Sequence, residues 1–505
     1  MGAALWAALL PGASAEASPH VVVDPGHGGP DPGATNCNVS FGGRSCLYES
    51  DVNVDISKRA AKILRAWSFR VTLTRTTDGR VNTPARDLET WNPKADGSRE
   101  FSKDGKVDGR DELQARVNVA NCGDEHTSCD AGHPDEADLF VSVHNNACGS
   151  CPRTGTFTYY YGPSRPGFRF AERVQAEVVD AVGRRDNGVR TEDFYVTRFT
   201  RMPAVLLEGL YVDDDTEAKM LASSTVRQRI AKGVAFGVVR MAAYEATMSK
   251  AASLGRSGLD LGNRHGDETK SGAGWYTQYP WARIYWSQYT DAYVMYGGIL
   301  AKYLDIGGPA VFGLPVTDEI GDGPARASHL QRARIYWTSD TGAHVVYGGV
   351  LAKYLDLDGP SGVLGVPVTD ELGVASGRVS RFTGGRIYWR SGIGAHGVWG
   401  PSLDTYLDYR GPAGFGFPTT DTRPIGTGTE TRLEKARIYA SDATGAHVVY
   451  GGILARYLDE GGPEGVLGFP TSDEYDIQGG RRSDFERGSI TWERETHETE
   501  VVLGP

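Results

Sequence analysis

The chain has 505 residues, 40% of them apolar and 23% charged, with a formal net charge of −11. That length exceeds one typical domain and the composition is ordinary for a globular protein, so two domains with sizeable cores are expected. The acidic balance, with no basic tract, excludes nucleic-acid binding by bulk electrostatics, and no run reaches the roughly 18 apolar residues that a transmembrane segment needs.

Residues 1–17 read as a secretory signal without its basic start, hence truncated. Apolar Leu5–Leu10 precedes Pro11-Gly12-Ala13-Ser14-Ala15, with cleavage expected after Ala15 or Ala17. From 18 to 246 the pattern alternates between strand and helix. His20–Asp24 is an apolar strand running into a glycine-rich loop. Asp51–Trp67 has helical apolar spacing, and Phe69–Arg75 alternates as a strand. Leu139–Val143 and Thr156–Tyr161 are strands, and Arg169–Val182 is a helix. Ala204–Glu208 is a strand and Val226–Tyr244 a closing helix. Repeated β-α-β crossovers predict an α/β domain: a mostly parallel open sheet with helices on both faces.

Such sheets bind ligands at the carboxyl ends of their strands. Three candidate residues closely follow apolar runs: His27 in VVVDPGHGG, His144 in LFVSVHNNA and Glu208 in AVLLEGLYV. A fourth, Glu49, lies in CLYESDVN at the start of the first helix. Two histidines and a glutamate are a natural zinc set, and a second glutamate supplies an acid or base. Taken singly, each is more simply an ordinary polar residue; it is their order along the chain that carries weight.

That order resembles the zinc-dependent N-acetylmuramoyl-L-alanine amidases of the amidase_3 family, over roughly Pro19–Tyr244. The shared motifs are Asp24–Gly29 (DPGHGG), Glu49 in ESDVN, Ser142–Ala147 (SVHNNA) and Pro203–Glu208 (PAVLLE). The resemblance implies Zn2+ held by His27, Glu49 and His144, with Glu208 as the catalytic acid and base. It further implies peptidoglycan as substrate, cut between N-acetylmuramic acid and L-alanine. Asp24 is expected to orient an imidazole from behind the metal ligands. Two segments depart from the family. A long polar insert occupies Asp78–Asp111, read as a substrate-side or disordered loop in preference to a regulatory element. The usual G-F-x-S-N is replaced by Gly209-Leu210-Tyr211-Val212-Asp213.

All six cysteines lie in this domain, in three close pairs: Cys37 with Cys46, Cys122 with Cys129, and Cys148 with Cys151. In a secreted chain these read as three local disulfides, although fifteen pairings are formally open. A redox C-x-x-C at Cys148–Cys151 and a zinc ribbon are the alternatives, each lacking its usual context.

Residues 247–258 read as a linker. Beyond it, 259–505 is periodic. Arg-Ile-Tyr-Trp recurs at Arg283, Arg334 and Arg386, with variants at Arg437 and Ser489, a spacing of 51–52 residues. L-G-x-P-x-T-D-E elements and GAHVVYGGVLAKYLD segments recur at the same period. These resemble LGFP repeats of actinobacterial cell-envelope proteins, which implies attachment to cell-wall polysaccharide. Five units whose two ends complete one another predict a β-propeller-like ring with a small helix per unit; an open row is the alternative. The recurring His344, His396 and His447 read as structural rather than metal-binding. Trp286, Trp337 and Trp389 read as core residues rather than sugar-stacking platforms.

Together these readings describe a secreted, wall-associated zinc amidase. A zinc peptidase or deacetylase acting on the wall, or a non-catalytic wall-binding protein, are the alternatives.

Overall fold

A computed structural model of the protein describes residues 18–93, 99–149 and 153–504. The expected signal at 1–17 lies outside the described residues. The chain forms two compact units, the first running to Ala252 and including Trp286–Asp291, the second taking in Ser253–Tyr285 and the chain from Ala292 onward.

In the first unit six strands form one sheet: β1 (His20–Pro25), β2 (Arg70–Leu73), β3 (Leu139–Asn146), β4 (Thr156–Tyr160), β5 (Asp186–Thr191) and β6 (Ala204–Tyr211). Their order is β2-β1-β3-β6-β4-β5. The first four run parallel, and the β6–β4 pairing is antiparallel, so the sheet is mostly parallel but mixed. Its central strands read as continuous apolar runs because both faces are covered. Val22, Phe140, Ala204 and Leu206 pack with Ala115, Val119 and Ala120 of helix α2 (Gly109–Cys122). The alternate residues Val21, Val23, Val141, Val143, Val205 and Leu207 are equally buried, so they too meet cover. Helices α1 (Glu49–Ala66) and α3 (Arg165–Val182) pack on the sheet. Helix α4 (Ser224–Arg256) comes close to α3 because Gly233 and Gly237 carry no Cβ; one built there would meet Val178 and Val174 at 2.6 and 2.7 Å.

Residues 247–258, read as a linker, are helical as far as Arg256. Their Ala, Met, Lys and Leu content sustains the helix through Gly255.

Cys37–Cys46 and Cys122–Cys129 form the expected disulfides. Cys148 is also disulfide-bonded, and its expected partner Cys151 lies outside the described residues.

The second unit contains five four-stranded antiparallel sheets, one per repeat, as the period predicts. In the second repeat Ala333–Thr338 (ARIYWT) pairs with Gly342–Tyr347 (GAHVVY), and a helix follows at Gly348–Asp356. Equivalent helices follow the first, third and fourth sheets at Gly297–Asp305, Pro401–Asp408 and Gly451–Asp459. Each helix packs on the next sheet. Ile299 and Tyr303 join Tyr285 and Met295 of the first sheet to Ile335 and Val345 of the second. Three further cores repeat this junction down to the fifth sheet. The ring expected from the sequence adds one more junction, fifth to first, which these four cores do not include.

Within each core two tyrosine rings meet edge to face, at 5.5 Å for Tyr285–Tyr303 and 5.4 Å for Tyr439–Tyr457. Trp337 and Trp389 lie against Gly298 and Gly349, where the preceding helix begins. His344 Nε2 is 2.8 Å from the Thr341 carbonyl, and the ring also faces Asp370, a structural setting.

Candidate metal centre

The register of the sheet assembles the centre. Asp24 stands opposite Ser142, Ser142 opposite Leu206, and His144 opposite Glu208. Strand alternation places all five on the face that carries α2. Glu208 therefore lies within an eight-residue strand that continues to Tyr211, rather than at its end. His27 follows β1 by two residues, and its φ of 61° lies in the left-handed region that non-glycine residues rarely adopt. The turn is held from behind. Arg75 donates to the carbonyls of Pro25 and Gly26, at 2.9 and 2.6 Å, and Arg116 donates to those of Pro25 and His27, both at 2.7 Å.

His27, Glu49 and His144 come together, with one ligand atom from each lying within 4.8 Å of the others. Glu49 Oε2 is 3.2 Å from His27 Nε2, and Glu49 Oε1 is 3.2 Å from His144 Nδ1. The two imidazole rings meet nearly edge-on at 4.8 Å. Among the described residues this is the one such group of three or more. The donor set fits a divalent metal with borderline-soft preferences: two imidazoles, one carboxylate and room for a further ligand. The backbone leaves space for it only because residue 33 is glycine. A Cβ there would lie 2.6 Å from Glu49 Oε2 and 2.7 Å from the His27 ring.

Electrostatics agree with a compact set of opposite charges. Burial pushes the Glu49 carboxyl up, but both imidazoles outweigh it and hold the group far below the usual carboxylate range. Burial likewise opposes charge on His27, yet Glu49 and Asp31 raise its pKa to about 9. Glu208 behaves in the opposite way. Burial pushes it well above the ordinary value, the Glu49 charge adds to this, and His27 opposes it. Its buried Oε2 has no hydrogen-bond partner among the described residues. An orphaned buried carboxyl beside a metal-type donor set is the mark of a group awaiting a reactant.

The surroundings contain residues that the sequence did not single out. Asp31 accepts or shares the proton of His27 Nδ1 at 2.7 Å, the role expected of Asp24. Asp24 is instead buried under Arg116 (2.5 Å), Ser142 (2.6 Å) and Thr74 (2.5 Å). The reason is geometric: Asp24 is still in the strand and follows its alternation, while His27 has turned away. Asn53 donates to Glu49 Oε1 from one turn further along α1, and the Asn145 and Ala34 amides donate to the same carboxylate. The i, i+4 spacing of Glu49 and Asn53 was the available signal for the first of these.

A cavity of about 610 Å³ opens over His27, His144 and Glu208, walled on one side by Phe194, Val196 and Leu206. The insert contributes Arg80, Asp108 and Gly109 to its lining. Its chain is fastened to α2: Glu112 accepts the Val81 and Asn82 amides, and Asp111 accepts that of Leu88. The departing Gly209–Asp213 segment is structural. Leu210, Tyr211 and Val212 are buried, and Asp213 accepts the Cys148 and Gly149 amides at 2.7 Å.

Fold and site thus define a class: an α/β domain with a His–Glu–His metal-type set on a mixed sheet, facing a cavity that also holds a buried carboxyl. Residues 21–240 match the amidase_3 family, described as N-acetylmuramoyl-L-alanine amidase, and residues 261–310, 312–362, 364–414, 415–465 and 467–505 match the LGFP repeat. The chain thus resembles an amidase_3 domain over residues 21–240 and a run of five LGFP repeats beyond it. Among curated relatives it is 29% identical over 222 residues to the N-acetylmuramoyl-L-alanine amidase LytC of Bacillus subtilis, covering 43% of this chain and 34% of LytC. It is 29% identical over 223 residues to the amidase CwlM of Bacillus licheniformis, covering 44% of this chain and 67% of CwlM. The match thus spans about a third of LytC's length. Among solved structures, the N-acetylmuramoyl-L-alanine amidase of Clostridium difficile 630 is 26% identical, with a TM-score of 0.33, covering 44% of this chain and 96% of that one. No helix among the described residues is long and apolar enough to cross a membrane.

Proposed function

We propose that this protein is a zinc-dependent N-acetylmuramoyl-L-alanine amidase, working outside the cell and held at the wall by its LGFP repeats. The observation that carries the reading is that His144 of the His27–Glu49–His144 set stands opposite Glu208, whose buried Oε2 has no partner among the described residues. The match of residues 21–240 to the amidase_3 family supports the choice of bond.

His27, Glu49 and His144 hold the metal. When bound, zinc lowers the pKa of a coordinated water towards about 7 and polarises a carbonyl. Glu208 takes a proton from the attacking water as its oxygen adds to the lactyl carbonyl carbon. Glu208 then delivers that proton to the L-alanine nitrogen as the C–N bond breaks, leaving a free amine and a lactyl carboxylic acid. Without that protonation an amide nitrogen is a poor leaving group. A carboxyl pushed upward by burial is suited to both steps. Asp31 fixes the orientation of the His27 ring. Phe194, Val196 and Leu206 shield one side of the reacting amide from bulk water. The five repeats offer several weak wall contacts on one body, which together raise retention at the surface.

The test is digestion of purified peptidoglycan, with products identified by mass spectrometry. Intact stem peptides with a free N-terminal alanine, lost on chelation and restored by zinc, are expected. Cleavage later in the stem would make the protein a peptidase, and acetate release would make it a deacetylase. Sedimentation with the wall but no product would leave a binding protein.

A further inference from the structure

The charged groups lining the cavity are nearly all committed to partners. Asp24 and Arg116 hold each other, and Asp31 is spent on His27. Asp108 caps α2 through the Arg110 amide. Glu112 takes the Val81 and Asn82 amides. Glu208 is the reacting carboxyl in the function proposed above. One charge is left. The Arg80 side chain is exposed and lines the cavity, and it has no hydrogen bond or ion pair among the described residues.

Its position is nevertheless defined. Thr83 Oγ1 donates to the Arg80 carbonyl at 3.0 Å, and the neighbouring Val81 amide is tied to Glu112 at 2.7 Å. The Arg80 stem lies over Gly29, two residues past His27. A Cβ at residue 29 would sit 2.7 Å from Arg80 Cγ, so the glycine leaves that path open. The result is a cation with an anchored backbone and a free head, at the rim of a site whose other cations are used up.

We propose that Arg80 is a specificity residue that receives a carboxylate of the substrate on the peptide side of the scissile amide. The inference rests on the amidase reading. A guanidinium presents a planar fork that matches a carboxylate in two parallel hydrogen bonds. The carboxyl of muramic acid is consumed in the scissile amide itself, so a free carboxylate comes from the peptide. Because Arg80 crosses the loop next to His27, that carboxylate belongs to the first residues of the stem rather than its far end.

The experiment uses the full-length zinc-loaded protein and two muropeptides. One is N-acetylmuramoyl-L-alanyl-D-glutamate with its carboxylates free; the other is the same compound with them converted to amides. The wild type is expected to show a KM at least about tenfold lower for the free form. Arg80→Gln should raise KM for the free form by about that factor, leave kcat within twofold, and leave the amidated form unchanged. Arg80→Lys should keep part of the discrimination, since it keeps the charge but not the fork. Zinc content equal to wild type checks that the site is intact. Equal effects of Arg80→Gln on both substrates, or none on either, would overturn the role of Arg80 while leaving the amidase reading in place. A wild type that cleaves neither compound would remove the amidase reading, and this inference with it.

Discussion

The imidazole of His144 occupies the space where a side chain on residue 26 would begin. A Cβ built on Gly26 lies 2.1 Å from both Cε1 and Nε2 of His144. The glycine of the DPGHGG loop is therefore a condition for placing His144, the third of the proposed metal ligands, and that set depends on a residue with no chemistry of its own.

Gly26→Ala should displace His144 and lose metal while the domain remains folded. The local overpacking is expected to cost about 1–3 kcal/mol. Metal content by mass spectrometry, read beside circular dichroism, checks this. Full zinc occupancy in the variant would show that His144 is not a ligand.

Glu208→Gln keeps the volume and removes the titrating group. Hydrolysis should fall by a factor of about 100 or more, with zinc retained. Stability should be nearly unchanged, since the buried Oε2 has no partner to lose. Undiminished turnover with zinc bound would move the acid–base role elsewhere.

The Asp24–Arg116 pair is buried, at 1% and 3% side-chain exposure. Burial pushes the Asp24 carboxyl up, yet Arg116, Ser142 and Thr74 outweigh it and hold it below its usual range. Arg116→Met should therefore cost about 3–5 kcal/mol, because it strands a buried carboxylate. Asp24→Asn combined with Arg116→Met should recover a large part of that loss. Urea unfolding of the single and double variants measures the difference; an additive result would mean that the two groups do not act as a pair.

His329, in the second repeat, has its pKa lowered to about 4 by burial, with Arg334 adding to the effect. Its Nε2 is buried without a partner among the described residues. The unfolded chain takes up this proton near pH 6.5 and the folded one only near pH 4. The stabilising contribution is thus present above about pH 6.5 and is lost as pH falls towards about 4. His329→Gln should flatten the acid limb of a stability–pH curve for the full chain. An unchanged limb would assign that dependence to other groups.

Much of the catalytic domain was legible along the chain because parallel strands buried on both faces must be apolar throughout. Runs such as Val21–Val23 and Val205–Leu207 therefore announce themselves. The repeat unit was legible for a different reason: five copies of one pattern must satisfy one set of contacts, so the period implies the sheet count. The candidate ligands followed from residue type and order, since His27 closely follows a strand, Glu49 begins a helix and His144 closely follows an apolar run.

What only the tertiary structure decided were relationships between distant segments. Asp31 rather than Asp24 meets the His27 ring, because the chain leaves strand alternation at a left-handed His27. Asn145 reaches both Glu49 and Asn53 across more than ninety residues of chain. Arg80 has no partner among the described residues, while Asp24, Asp31, Asp108 and Glu112 of the same cavity are held by other groups. Residue types and periods are local properties and can be read in order. Which partner a charge finds depends on where the backbone turns and which neighbour arrives there first in space, and that is a property of the folded whole.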